Sequence, residues 1–364
     1  NDYAYSACLL SNGNRLLLGE TFSESNAGKA GDDIGIKQGS FASAWAVCLD
    51  ENDEVVWQYR YAGKAEANTR FLGGVEQDDR YILYATQGQS GDDAIVVLDS
   101  SGAEKRIVPM RDNVDVYGVC PSPKGLVIAG LTWDDAVFRP FCALADASGE
   151  IVWSYAGEPL SRIEGRCPYA QMTCNDDHIL LYETRLSNSF SEETEVYLSK
   201  IDFSGNRIAR IQLDAPPIQY ISKMIAHGDE VLFIGSNYDM EQDLHSGAIV
   251  KLGEKTEISW EWSASYPDSN LVIQDLLILE DQYFVCGLRY DYRDPVFTQI
   301  RTGLFPFDGS ALALQPLAEY GSLSNPKALL ISQNEVMIFG NMLIRTTQQT
   351  PQEEMDVFIS RMQI

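Results

Sequence analysis

Histidine is scarce in this chain of 364 residues, which holds only His178, His227 and His245. No HExxH, GxSxG, Walker loop or dinucleotide fingerprint occurs, so the commonest hydrolase, nucleotide and oxidoreductase sites have no sequence support. The seven cysteines are an odd number and include no CxxC pair, which leaves His and Cys without a usable metal-ligand spacing. Cys8, Cys48, Cys120, Cys142, Cys174 and Cys286 lie in or beside apolar runs, where a free thiol behaves as a small hydrophobe. One disulfide among them is compatible with the pattern. No stretch approaches the roughly 18 continuous apolar residues of a membrane span, so no membrane-inserted segment is predicted.

Positive charge is short as well. Lys and Arg total 27 against 53 Asp and Glu, a formal net charge of −26. Such a surface repels phosphate backbones and anionic lipid, which excludes nucleic acid and membrane surfaces as expected partners. The first residue is Asn1 rather than Met, which reads as a trimmed or mature fragment whose signal or anchor would lie upstream.

What the chain has in quantity is repetition. Seven short apolar segments end in a common marker: Gly19, Tyr84, Gly130, Tyr182, Gly235, Gly287 and Gly340. Runs this short, bounded by polar turns and Gly, read as buried strands rather than helices. Between markers a turn recurs, Asp-x-x-Gly at Asp99, Asp146 and Asp202, with Asp50-Glu51-Asn52-Asp53 as a variant. An Asp opening a turn that ends in a Gly at φ > 0 marks a type I turn, here between alternating strands of a hairpin. Trp57 and Trp153 each stand seven residues beyond such an Asp, and Trp260 keeps the spacing from Gly253.

A unit of about 50 residues holding four strands has the period of a propeller blade. The sequence therefore predicts one all-β domain over residues 1–364, a seven-bladed propeller of four-stranded antiparallel blades. The blades fall at about 5–63, 69–110, 115–157, 167–214, 219–266, 272–321 and 325–364. The last unit has only three evident strands, so either it stays three-stranded or the N-terminus contributes to closure.

The segments Leu17–Ser23 (LLGETFS) and Ala42–Gly63 (ASAWAVCLDENDEVVWQYRYAG) resemble the bacterial β-propeller repeat of secreted and surface proteins. That repeat runs Gly-x-Thr-x-Ser, then a strand ending Leu-Asp-x-x-Gly, then a Trp strand. The resemblance implies a propeller exposed outside a bacterial cell and implies no particular reaction.

Loop lengths assign a working side. First-to-second strand turns are short, whereas the second-to-third connections are long: 24–40, 133–139, 187–193, 238–245, 290–298 and 345–354. Elaborated loops on one face of a repeat protein are where ligands bind. On the same face an inner-strand register places Ser6, Arg70, Tyr117, Gln171, Lys223, Gln274 and Lys327 as a ring, with three cations suited to an anionic group. The same ring also fits solvated polar side chains without a ligand. The loops carry Trp133, Tyr238, Tyr290 and Tyr292 beside carboxylates, a pairing of aromatic faces and acceptors that suits sugar rings. No cofactor is predicted. Asp32 and Asp33 could hold calcium, but nothing matches an EF-hand or RTX loop. The expected function is extracellular or cell-surface binding of a glycan, peptide or protein partner. A carbohydrate-active enzyme using carboxylates on the same face is the alternative.

Overall fold

The computed structural model describes residues 2–22, 41–63, 67–87, 93–111, 113–134, 137–159, 169–186, 194–254, 256–291, 293–307, 314–317, 325–332, 335–345 and 353–363. These residues form a seven-bladed propeller without helices. Two compact units make it up, Asn1–Leu9 with Pro217–Ile364, and Leu10–Pro216.

The first sheet has the order β1(Asp2–Leu9), β2(Arg15–Thr21), β3(Ser43–Leu49), β4(Val55–Tyr61). The second is β5(Arg70–Gln77), β6(Arg80–Thr86), β7(Ala94–Asp99), β8(Glu104–Pro109), and the third β9(Val114–Ser122), β10(Gly125–Asp134), β11(Val137–Ala145), β12(Ile151–Ala156). The fourth comprises β13(Tyr169–Cys174), β14(His178–Leu186), β15(Thr194–Asp202) and β16(Arg207–Leu213). In the other unit follow β17(Tyr220–His227), β18(Glu230–Asp239), β19(Leu244–Leu252), β20(Ile258–Ala264), then β21(Asn270–Ile278), β22(Gln282–Asp291), β23(Asp294–Pro306), β24(Gln315–Pro316). The last sheet has three strands, β25(Asn325–Ser332), β26(Glu335–Arg345) and β27(Glu353–Gln363). Of the two closures left open by the sequence, the three-stranded last blade is the one found. The N-terminal strand β1 packs against the last sheet. Asn341 Oδ1 accepts from Ala4 N at 2.7 Å while its Nδ2 donates to Ala4 O at 3.1 Å.

The middle strands are apolar without alternation because both faces of a blade are covered. Leu126 and Ile128 of β10 pack with Ile82, Tyr84, Ile95 and Val97 of the second sheet. Their neighbours Val127 and Ala129 point the other way, into a cluster with Met172, Ile179, Leu181 and Ile201 of the fourth. A strand's period of two thus sorts one apolar run into two separate cores.

Each described Asp turn is built the same way. The Asp99 carboxylate accepts from Ser101 N at 3.0 Å and Ala103 N at 3.0 Å, and Asp202 accepts from Ser204 N at 2.9 Å and Asn206 N at 2.8 Å. The fourth residue is left-handed, at φ 79° for Gly102 and 84° for Gly205. Those glycines also lie against the tryptophan of the preceding sheet. A Cβ on Gly205 would stand 2.9 Å from the Trp153 ring, and one on Gly102 would collide with Trp57. Trp153 Nε1 donates to Phe203 O in that turn at 2.9 Å. The Trp of one blade and the turn of the next form a single joint. Arg106 stands where β8 lacks the Trp, and it pairs instead with Glu150 of the next blade's turn.

Two outcomes test this joint. Gly205→Ala forces a side chain into φ > 0 and into the indole, and should cost about 2–4 kcal/mol in urea unfolding. In the second, hydrogen bonds from Lys105 and Ser101 hold the Asp99 carboxyl below its ordinary range, and Asn206 does the same for Asp202. A folded pKa lowered in this way adds stability that is present above the unfolded value of about 4 and lost as pH falls through the folded one. The urea midpoint should fall below about pH 4, and Asp99→Asn with Asp202→Asn should flatten that fall.

Candidate functional site

In each antiparallel sheet the second-to-third connection leaves from the end at which the inner strand begins, opposite the first-to-second turn. The elaborated loops and the inner-strand entries therefore share a side within each unit.

A β-bulge fixes what the inner strands present there. The extra residue is Leu72 in β5, Tyr117 in β9, Ser222 in β17, Gln274 in β21 and Lys327 in β25. At three of these bulges an inner-strand carbonyl closes on the second strand where a glycine stands. A Cβ at Gly130, Gly235 or Gly340 would collide with the carbonyl oxygen of Asp115, Tyr220 or Asn325. Pairing registers put Ala85 and Glu183, not Tyr84 and Tyr182, at the marker position of the second and fourth blades. The inner strand β13 of that fourth blade pairs without a bulge, so its Glu183 is accommodated.

Of the seven ring residues, Tyr117, Gln274 and Lys327 are bulge residues. Lys223 follows a bulge and Arg70 precedes one by two positions. Ser6 in β1 and Gln171 in β13 are half-buried. Lys223 Nζ bonds the Asp275 carboxylate at 2.6 Å, so its charge is answered within the protein. Asp275 is buried, and it also accepts from Leu276 N at 2.8 Å and from Leu329 N at 2.9 Å. One carboxylate thus joins the inner strands of the fifth, sixth and seventh blades. Burial pushes the Lys327 ammonium below its ordinary range.

Around Tyr117 lies a cluster that residue patterns did not single out. Tyr84 Oη donates to Asp93 Oδ2 at 2.6 Å, and Gln87 N to Asp93 Oδ1 at 2.9 Å. Asp115 lies at the surface, yet partial desolvation of its carboxyl and the nearby Asp93 charge raise its pKa, against a lowering bond from Tyr117. Trp133 of the same blade is half-buried, its backbone bridged to Asn113 through Nδ2 donating to Trp133 O at 2.7 Å.

The fifth and sixth blades hold the second cluster and bring two of the loop aromatics to one place. A cavity of about 130 Å3 is lined by Gln242, Asp243, Leu244, Pro267, Asn270, Asp291 and Arg293. Tyr238 Oη donates to Asp243 Oδ1 at 2.5 Å. Its ring lies 5.1 Å from that of His245, which in turn meets Tyr220 edge-on at 5.2 Å. Tyr220 is 55% exposed. Asn270 anchors the floor: its Oδ1 accepts from His245 N at 2.8 Å, and its Nδ2 donates to Tyr290 O at 3.4 Å. Arg293 is held by Asp291 at 3.1 Å, and Arg289 lies over the Tyr266 ring at 4.2 Å. Sequence reasoning found Tyr238 and Tyr290 but missed Tyr220 and His245; all four lie near the loop-side ends of strands, in β18, β22, β17 and β19. Tyr292, Asp32 and Asp33 lie outside the described residues. Among the described residues no group of three or more His, Cys, Asp or Glu is arranged to hold a metal ion.

No family model matches the chain, and no curated protein matches it in sequence. Solved structures match it in fold. A puromycin hydrolase mutant complexed with PGG superposes with a TM-score of 0.58 at 10% identity, over 100% of this chain and 52% of the hydrolase. The polysaccharide lyase Uly1 gives 0.56 at 7% identity, over 99% of this chain and 90% of the lyase. The β-propeller domain of the trilobed protease from Pyrococcus furiosus, described as having an open velcro topology, gives 0.53 at 10% identity, over 96% and 91%. The chain spans about half the length of the hydrolase, and at these identities the likeness is one of fold alone.

Removing the buried tie gives a direct test of the inner face. Asp275→Ala strips two backbone N–H groups of their acceptor and should cost about 2–4 kcal/mol in urea unfolding. Lys223→Met leaves the buried Asp275 carboxylate without its counter-charge and should cost about 1–3 kcal/mol.

Proposed function

We propose that this protein is a binding propeller that takes a small glycan at the cleft between the fifth- and sixth-blade loops. The observation that carries the reading is the exposed Tyr220 ring beside His245 and Tyr238, set next to a small cavity edged by Asp243, Asp291 and Arg293. A pyranose offers an apolar face to an aromatic ring and hydroxyls to carboxylates and guanidinium, so this set of groups suits it. Exposure outside a bacterial cell belongs to the same proposal. It is supported by the resemblance of Leu17–Ser23 and Ala42–Gly63 to repeats of secreted and surface propellers.

A second reading rests on Asp115. The exposed Asp115 opens an inner strand on the loop side and the buried Asp93 lies just before β7 of the preceding blade, a placement of two carboxyls on one side that favours a carbohydrate-active enzyme.

A glycan array followed by saturation-transfer NMR on the full chain separates the two. Binding without turnover, weakened about tenfold or more by Tyr220→Ala and untouched by Asp115→Asn, supports the cleft. Release of reducing ends or unsaturated sugars, abolished by Asp115→Asn, supports the enzyme. Absence of any glycan signal overturns both.

A further inference from the structure

The third and fourth blades place two thiols against each other. Cys120 lies near the end of β9 and Cys174 ends β13, inner strands of adjacent blades in one compact unit. Their sulfurs are 3.2 Å apart. Both thiols also approach one acceptor, Pro121 O, at 3.5 Å from Cys120 and 3.0 Å from Cys174. Both residues are half-buried, whereas Cys142 in the same apolar cluster is fully buried.

We propose that Cys120 and Cys174 are a disulfide site that cross-links the third and fourth blades when the protein meets an oxidising small-molecule or protein disulfide. Bond formation needs the sulfurs to close from 3.2 Å to about 2.05 Å, a shift of roughly 1 Å. The reaction is thiol–disulfide exchange. The Cys120 thiolate attacks one sulfur of the external disulfide, its S–S bond breaks, and one reduced thiol leaves. Cys174 then loses its proton and attacks the Cys120 sulfur, releasing the second reduced thiol. The chain gives up two protons and two electrons, and the external disulfide takes them up.

The hydrogen bond to Cys120 and then burial push the Cys174 thiol up. Burial raises the Cys142 thiol too, and with no exposed surface it is a poor entry point. The cross-link would close a loop whose ends are 54 residues apart and restrict the unfolded chain accordingly. Such a bond persists outside the reducing cytosol, so the site is consistent with the surface location proposed above, while resting on none of the glycan argument.

The test uses the full wild-type chain, reduced and then incubated with oxidised glutathione. Intact mass after alkylation should show one pair of thiols protected, and peptide mapping should return a single Cys120–Cys174 cross-link. The oxidised form should unfold several degrees above the reduced form, and Cys120→Ser and Cys174→Ser should each abolish both effects while Cys142→Ser leaves them. Full alkylation of the oxidised sample, a glutathione adduct that persists on Cys120, or a cross-link to Cys142 each overturns the proposal. Because the mapping is read on wild-type protein, a serine variant that fails to fold does not rescue it.

Discussion

The joint between a tryptophan on the outer strand of one blade and the aspartate turn of the next is the contact on which the rest of this architecture depends. An isolated blade has two apolar faces and cannot keep both from water. Trp153 addresses this at the periphery, where the cores thin out: its indole fills the space under Gly205, and its N–H satisfies Phe203 O. Trp57 repeats the arrangement with Gly102 and rests 5.4 Å from the Tyr81 ring, and Trp260 meets Tyr283 at 5.9 Å. The glycine is demanded twice, by the left-handed turn and by the neighbour's ring.

Inside that frame, bulges do for the inner strands what the turns do for the outer ones. Each bulge adds a residue and offsets the side chains beyond it, which lets Lys223 and Asp275, both just past a bulge, meet across two blades. Asp275 then binds the backbone of a third. The loop side inherits rigid edges, and the cleft at Asn270 is built on them: the Asn270 side chain reaches backbone groups on β19 and on β22 at once.

Blade number, strand order and the turn chemistry were legible in the sequence because each is local and repeated. The registers of the second and fourth blades were read one residue off. Tyr84 and Tyr182 looked like the marker since both end an apolar run, whereas the position is held by Ala85 and Glu183. A period of two cannot reveal such a slip when both faces of a strand are buried. The partnership of Trp with Gly was visible only as two half-motifs at irregular places, because the two residues that touch belong to different repeats. For the same reason Tyr238 and Tyr290 stood out beside their neighbouring carboxylates, while Tyr220, which opens an inner strand, and His245, at the end of the 238–245 connection, carried no mark of the cluster they complete. The Lys223–Asp275 pair was hidden by a separation of 52 residues.

The outermost strands β4, β8, β12, β16 and β20 each carry a register shift close to their turn, and β24 is only two residues long. Strand β27 differs: it pairs with β26 over eleven consecutive residues without interruption. A kinked edge is a poor template for another chain, and a straight one is a good template. Among the described outer strands, β27 is thus the one whose unbroken geometry best suits pairing with a further strand.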